Sequence, residues 1–229
     1  MEILAIIPAR GGSKGIPHKN IVPVVGKPLI EYSIEAVKGT KLVTRLVVST
    51  DSSEIAEVAI NAGAEVVKRP ASISGDTASS ESALLHVLET LQKKDGYIPD
   101  ILVLLQCTSP LTLAEDIDGT IRKLLDSQAD TALAVAPFHY YLWKENDRGE
   151  VEGINHQKFH RPMRQERENQ YIETGAVYVM RVSGFLENRH RFFGKTVMYQ
   201  MPEQRCFEID EPVDLVIAEQ LLIKQRKFQ

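Results

Sequence analysis

Two clusters of residues, one near each end of the chain, have types and spacing suited to phosphate chemistry. Residues 8–20 read Pro-Ala-Arg-Gly-Gly-Ser-Lys-Gly-Ile-Pro-His-Lys-Asn. Gly11, Gly12 and Gly15 permit a tight backbone, including positive φ, and let a ligand approach the main chain closely. Successive N–H groups in such a loop, which also holds Ser13, form a nest for an anion, and Arg10, Lys14 and Lys19 add fixed positive charge. The loop follows the apolar run Ile3–Ile7, which places it at the C-terminal end of a strand, the edge where open α/β sheets bind ligands. A polyphosphate fits these features. The spacing matches neither a Walker A loop nor the dinucleotide fingerprint G-x-G-x-x-G. Near the other end, Glu208-Ile209-Asp210 is predicted to be a short strand, with both carboxylates on one face and Ile209 in the core. Such a pair suits Mg2+, which takes one or two carboxylates together with phosphates and water. Asp210 is the stronger ligand. Asp214 is weaker, because the dipole of a helix starting at Pro212 explains an acid there.

The elements that must position these groups are legible as alternating patterns. Ile3–Ile7, Leu46–Ser49, Ile101–Leu105 and Thr131–Ala136 are compact apolar runs of the kind buried on both faces of a parallel sheet. Between them lie helical stripes. Pro28 starts a helix at its first turn, with Leu29, Ile30, Ile34 and Val37 on one stripe. Ser52-Ser53 caps the next, with Ile55, Ala56, Ala59 and Ile60 inward and Gly63 just past its end. Leu84, Leu85, Leu88 and Leu91 form a third stripe, and Ile117, Ile121, Leu124 and Leu125 a fourth. Strand–helix alternation over residues 1–136 implies right-handed crossovers and a layered α/β core. Residues 137–174 break the pattern. They are polar, aromatic and basic, and too long for a simple connection, which makes them an inserted subdomain that packs on a partner. The α/β texture resumes over 175–229, with Val177–Met180, Val197–Met201 and a helix from Pro212 burying Val213, Ile217 and Leu221. Gln106 follows the buried run Ile101–Leu105 and so faces the ligand edge of the sheet.

Composition narrows the classes of function. The 229 residues are 43% hydrophobic and 25% charged, ordinary values for a globular protein of one large domain or one domain with an insertion. A net charge of −4, from 27 basic and 31 acidic residues, argues against nucleic-acid or anionic-membrane binding. No apolar run approaches the roughly 18 residues that span a bilayer. Met1–Pro8 reads as a buried strand and not as a signal peptide. Cys107 and Cys206 provide neither a disulfide framework nor a four-thiolate zinc site, which fits reduced thiols in a cytoplasmic protein. The six histidines show no metal-ligand spacing on a helix.

The loop Arg10-Gly11-Gly12-Ser13-Lys14-Gly15-Ile16-Pro17-x-Lys19-Asn20 resembles the signature of the CMP-sialic acid synthetases, the acylneuraminate cytidylyltransferases. The likeness continues in family order through Ser49-Thr50-Asp51, Arg69-Pro70, Asp76-Thr77-Ala78-Ser79-Ser80, Gln106-x-Thr108-Ser109-Pro110, Arg164-Gln165, Gly175-Ala176-x-Tyr178, Phe192-Phe193 and Glu208-Ile209-Asp210. It implies a Rossmann-like nucleotidyltransferase fold with a mostly parallel central sheet and an inserted dimerisation subdomain. It also implies a homodimer, Mg2+ dependence, and transfer of CMP from CTP to a nonulosonic acid. By resemblance, Arg10, Lys14 and the amides from Gly11 to Gly15 bind the phosphates, with Lys19 adding charge and Asn20 close to the nucleotide. Arg69 and Ser80 match positions near the cytosine and ribose, although Ser80 is also a natural helix cap. Gln106, Tyr178, Phe192 and Phe193 fall on the sugar-acid side, where the two phenylalanines form an apolar wall or simply pack in the core. Arg164, with Lys144 as a second cation, meets the acceptor carboxylate. The family pattern is departed from at Glu208, usually aspartate, at Ile172, often arginine, and at Thr174, usually asparagine.

Two other classes use parts of this pattern. A nucleotide-sugar glycosyltransferase shares the acidic metal motif, but would not need the Arg10–Asn20 loop. A nucleotide sensor would need no metal-assisted phosphoryl chemistry, and so not Lys14, Gln106 and Asp210 together. The loop reading makes a direct prediction. Lys14→Ala should lower kcat/KM for CTP by about 10²- to 10³-fold, the usual loss for one preorganised donor at developing charge. Its melting temperature should hardly move. A sharp fall in melting temperature with activity retained would make Lys14 a structural residue.

Overall fold

The computed structural model describes residues 1–13 and 15–226. The chain runs β1 (Ile3–Pro8), β2 (Pro23–Val24), β3 (Lys27–Pro28), α1 (Leu29–Lys38), β4 (Arg45–Thr50), α2 (Ser53–Asn61), β5 (Glu65–Lys68), α3 (Ser80–Asp95), β6 (Ile101–Leu105), α4 (Ala114–Asp126) and β7 (Thr131–Phe138). Then follow β8 (Trp143–Glu145), β9 (Val151–Gly153), β10 (Gln170–Arg181), α5 (Val182–Asn188), β11 (Thr196–Gln200) and α6 (Pro212–Arg226). Seven strands form one sheet in the order β11-β7-β10-β6-β1-β4-β5. Only β10 runs against its neighbours; every other pairing in the sheet is parallel. The architecture is therefore α/β with a mostly parallel central sheet.

Both faces of the sheet are covered, and β1 shows why. Ile3, Ala5 and Ile7 point into a core shared with α1, α2 and α4, while Leu4 and Ile6 point into a second core built with α3 and α5. A strand buried on both sides reads as a continuous apolar run, because alternation then separates two cores and not core from water. A third, smaller cluster joins Ile16, Val24, Leu29, Leu111 and Ile209 beneath α6.

Several sequence expectations shift in detail. Pro28 is the residue before α1, in extended backbone, and not its first turn. Ser52 caps α2 by accepting the Ile55 N–H, as expected, and Ile55 and Ala59 are buried. Ile60 faces solvent, however, because α2 covers the β4–β5 margin where the sheet ends. In α6 the buried residues are Ala218 and Leu222, while Val213 and Ile217 are exposed. Apolar residues occur all round this helix, and it docks on the small third cluster, so spacing alone could not select its buried stripe. Glu208–Asp210 is not a strand of any sheet, although Ile209 is buried and its N–H reaches the Thr108 carbonyl at 2.9 Å.

The segment expected to leave the core at 137–174 is shorter than that. β7 continues to Phe138 and β10 already begins at Gln170, with Gln170 opposite Phe138 and Glu173 opposite Val135. The part outside the sheet is 139–169, which contains the β8–β9 hairpin. The register between β7 and β10 shifts between Glu173 and Tyr178, at Gly175, whose φ of +67° suits glycine. Among the described residues no helix is long and apolar enough to cross a membrane.

Candidate active site

The C-terminal ends of β1 and β6 open onto a polar crevice of about 380 Å3. The loop after β1 contributes Arg10, Gly12, Ser13, Lys19 and Asn20 to its walls, the region around the α3 N-terminus contributes Arg69 and Ser80, and Gln106 and Cys107 lie at the end of β6. Glu208 and Asp210 close the remaining side. Residues from 10 to 210 thus converge at the ligand edge of the sheet. Lys14 lies outside the described residues.

The loop after β1 is held by its own side chains. Arg10 donates from Nη1 to the Gly75 carbonyl at 2.9 Å and pairs with Asp76 at 3.1 Å. Lys19 Nζ lies 3.0 Å from both the Ile209 carbonyl and Asp210 Oδ1, so it joins the basic loop to the acidic one. Buried Asn20 donates to the Arg10 carbonyl at 2.8 Å and accepts from the Cys107 thiol at 2.9 Å. Burial pushes that thiol up to about 11, which keeps it protonated as a donor. Gly11 and Gly12 do not have positive φ. The Gly11 N–H donates to Asp51 at 2.9 Å, because β4 lies beside β1 and its following loop meets the phosphate loop. Gly15 admits close approach of the acidic loop: a Cβ there would sit 2.5 Å from the Asp210 carbonyl.

Arg69 and Ser80 occupy specific positions. Arg69 is buried and donates to the Ser49 carbonyl at 2.6 Å and the Ser49 hydroxyl at 3.2 Å, so it is not a surface cation. Burial lowers its pKa against the opposing pull of Asp51. The cap of α3 is Ser79, which accepts the Ser82 N–H; Ser80 follows it and faces the crevice.

The acidic side is anchored from below. Arg205 donates to fully buried Asp116 at 2.6 Å and pairs with Glu115 at 2.8 Å, tying the loop to the start of α4. Asp214 accepts the Asp210 and Glu211 N–H groups at 2.9 and 2.8 Å, so it shapes the loop. Its carboxyl is held below the ordinary range by those two bonds. Burial, and then the neighbouring Asp210, raise Glu208 above the ordinary carboxylate range. The Gln106 amide satisfies its partners with nitrogen toward the Gly175 carbonyl at 2.9 Å and Glu208 at 3.3 Å. Glu208 is half-buried and Asp210 exposed, and both line the crevice. Among the described residues no three His, Cys, Asp or Glu side chains converge as a metal site.

The residues expected on the sugar-acid side are more dispersed. Tyr178 is buried in the second core, its hydroxyl donating to Glu173. Phe192 meets its ring edge-on at 6.0 Å, and Phe193 packs on Gly184. Both phenylalanines border the second core and are not crevice walls of this chain. Lys144 pairs with Glu152 at 3.4 Å on the β8–β9 hairpin, and Arg164 lines a separate hollow with His139 and Arg167. Within one chain neither cation reaches the crevice. Sequence reasoning also missed participants. Cys107 occupies the unassigned position of Gln106-x-Thr108-Ser109-Pro110, and Asp51 and Asp76 belong to recognised motifs without having been given a role.

A parallel sheet with a basic glycine loop facing an acidic pair across its C-terminal edge defines the nucleotidyltransferase class of α/β proteins. The cytidylyltransferase family model matches residues 4–228, and the chain belongs to that family. It is 33% identical over 222 residues to a pseudaminic acid cytidylyltransferase of Campylobacter jejuni, covering 95% of each chain. It is 32% identical over 226 residues to N-acylneuraminate cytidylyltransferase A of Danio rerio, covering 97% of this chain and 51% of that one. The chain thus spans about half the length of the fish relative. In fold it is similar to a CMP:2-keto-3-deoxy-manno-octonic acid synthetase solved with CTP, with a TM-score of 0.72, 17% identity, and coverage of 98% of this chain and 100% of that one.

The close approach at Gly15 predicts a specific defect. Gly15→Ala should displace the Glu208–Asp210 loop, costing about 1–3 kcal/mol in stability and about 10²-fold in catalytic efficiency, as expected for a misplacement near 1 Å. Gly12→Ala, where a Cβ meets nothing within 4 Å, should melt like the parent protein. Thermal melts and steady-state kinetics of the two variants provide the check.

Proposed function

We propose that the protein transfers CMP from CTP to the anomeric hydroxyl of a nonulosonic acid and releases pyrophosphate. The observation that carries this reading is the crevice itself, where the basic loop after β1 and the Glu208–Asp210 pair meet through Lys19. The acceptor oxygen forms a bond to the α-phosphorus, the bond from that phosphorus to the pyrophosphate oxygen breaks, and the hydroxyl proton is lost. Such a reaction needs positioning and charge stabilisation more than covalent participation by the protein. Arg10 and Lys19 neutralise phosphate charge, assisted by Lys14 and by loop amides after Gly11. Arg69 and Ser80 face the nucleoside. Gln106, at the end of β6, faces the acceptor. Asp210 and Glu208 would hold Mg2+, which supplies further charge neutralisation on the triphosphate when bound. The names of the curated relatives support a nine-carbon keto acid of the sialic or pseudaminic type as acceptor.

The acceptor carboxylate needs a cation, and Lys144 and Arg164 sit on the 139–169 segment, away from the crevice of their own chain. That segment exposes Tyr140, Trp143, Ile154, Phe159 and Met163. We read it as the contact surface of a homodimer in which each segment supplies its cations to the neighbouring crevice.

Two measurements test these readings. Pyrophosphate release should require CTP and a nonulosonic acid. Equal turnover of UTP or GTP would sink the cytidylyl assignment, since a site that hydrogen-bonds one base edge rejects others by well over about tenfold. For the dimer, inactive Arg164→Ala and Lys14→Ala chains should regain activity when subunits exchange, because a mixed dimer holds one intact shared site. Proven exchange without recovery would show that each chain builds its site alone.

A further inference from the structure

A polar cluster borders the crevice on the α3 side of the sheet without belonging to its lining. Glu81, next to Ser80 in the first turn of α3, accepts from Arg191 Nε at 2.7 Å. The Arg191 guanidinium lies 4.7 Å from the centre of the Tyr178 ring. The Tyr178 hydroxyl donates to Glu173. Burial is the largest single influence and would raise Glu81, but the Arg191 bond, a backbone N–H and the charges of Arg191 and His190 together hold this carboxyl below its ordinary value. Glu173 differs from the rest of the cluster. Its side chain is exposed, although the Tyr178 it binds is buried. It stands where the β10 register shifts, two residues before Gly175, and a Cβ on Gly175 would meet both Glu208 and Gln106. Its negative charge is also felt at Glu208.

From this placement we propose that Glu173 is a specificity-determining residue, a carboxylate aimed by Tyr178 that accepts a hydrogen bond from a hydroxyl or amide N–H of the acceptor sugar. A metal role does not fit, since no three acidic or imidazole side chains converge among the described residues. A carboxylate repels both the triphosphate and the acceptor's own carboxylate, so its complement is the donor-bearing part of the sugar. Tyr178 acts as a positioning residue, because one bond from its buried, ring-packed hydroxyl restricts where the Glu173 oxygens point. The inference rests on the cytidylyltransfer reading and extends it to the acceptor side.

The test compares Glu173→Ala, Glu173→Gln and Tyr178→Phe with the parent protein. Pyrophosphate release is measured with CTP and a panel of nine-carbon keto acids with and without an acylamino group, and CTP binding is titrated separately. Glu173→Ala should lower acceptor kcat/KM by about 10- to 100-fold, the loss of one hydrogen bond to a charged group. The loss should appear mainly in acceptor KM, with CTP affinity within about twofold of the parent. Glu173→Gln, which keeps an acceptor oxygen, should fall between, and Tyr178→Phe should share the acceptor defect in weaker form. The loss should also depend on which acid is offered. Parent-like acceptor kinetics in both Glu173 variants, or equal weakening of CTP and acceptor with a lowered melting temperature, would overturn this inference alone. A parent protein that binds CTP but turns over none of the acids would overturn the reaction reading, and this inference with it.

Discussion

The site depends on a small apolar cluster that is separate from the two main cores. Ile16 of the basic loop, Val24 of the β2–β3 hairpin, Leu29 at the start of α1, Leu111 after the Thr108–Pro110 turn and Ile209 between the two acids bury one another under Ala218 and Leu222. Ile16, Val24 and Leu29 come from the stretch that leads from β1 into α1, Leu111 from the β6–α4 connection and Ile209 from the β11–α6 connection, so the cluster ties three parts of the chain together. Burying large aliphatic side chains stabilises by about 1.5–3 kcal/mol each. Here that burial holds the basic loop after β1 and the acidic loop at a defined separation. The polar contacts between the loops act within this frame: Lys19 to Asp210, and the Ile209 N–H to Thr108.

Charge in the crevice is arranged in opposing pairs. Arg10 faces Asp76, Lys19 faces Asp210, and Arg69 lies near Asp51. Exposed pairs of this kind add little stability. Their effect is to hold long side chains at fixed positions, which lowers the ordering cost when a polyanion binds. Glu208 is the exception. Burial and the like charge of Asp210 act on it together and raise its carboxyl, against the smaller opposing pull of Lys19. The buried anchor of this loop is the Arg205–Asp116 pair, where removing one partner would leave the other unmatched.

The single antiparallel strand has a comparable part on the acceptor side. β10 pairs with β6 along its second half and with β7 along both halves, and its register breaks at Gly175. That break brings the Gly175 backbone close to Gln106 and Glu208, just past the last regular pair of this stretch, Glu173 with Val135. Bulges redirect side chains in this way next to functional sites.

Much of this was legible in the amino-acid order. Runs such as Ile3–Ile7 and Ile101–Leu105 read as strands buried on two faces, because five apolar residues between turn signals are too few for a helix of ordinary length. The Arg10–Asn20 loop stands out in the sequence because three glycines and three cations fall within eleven residues directly after a buried strand. The family pattern reaches from residue 10 to residue 210, and Arg10, Arg69, Ser80, Gln106, Glu208 and Asp210 of it meet in one crevice. Tertiary structure decided the rest. It selected Ala218 and Leu222 over Val213 and Ile217, because a helix apolar on all sides buries whichever face its partner can meet. It assigned the Gly11 N–H to Asp51 and gave Gly15 to the Asp210 carbonyl, because β4 and the acidic loop approach from positions 40 and 195 residues away. It placed Lys144 and Arg164 outside their own crevice and joined Glu81, Arg191, Tyr178 and Glu173 into one cluster. Spacing along a chain reports only contacts made within an element. These contacts join different elements, and they exist only once the sheet order is set.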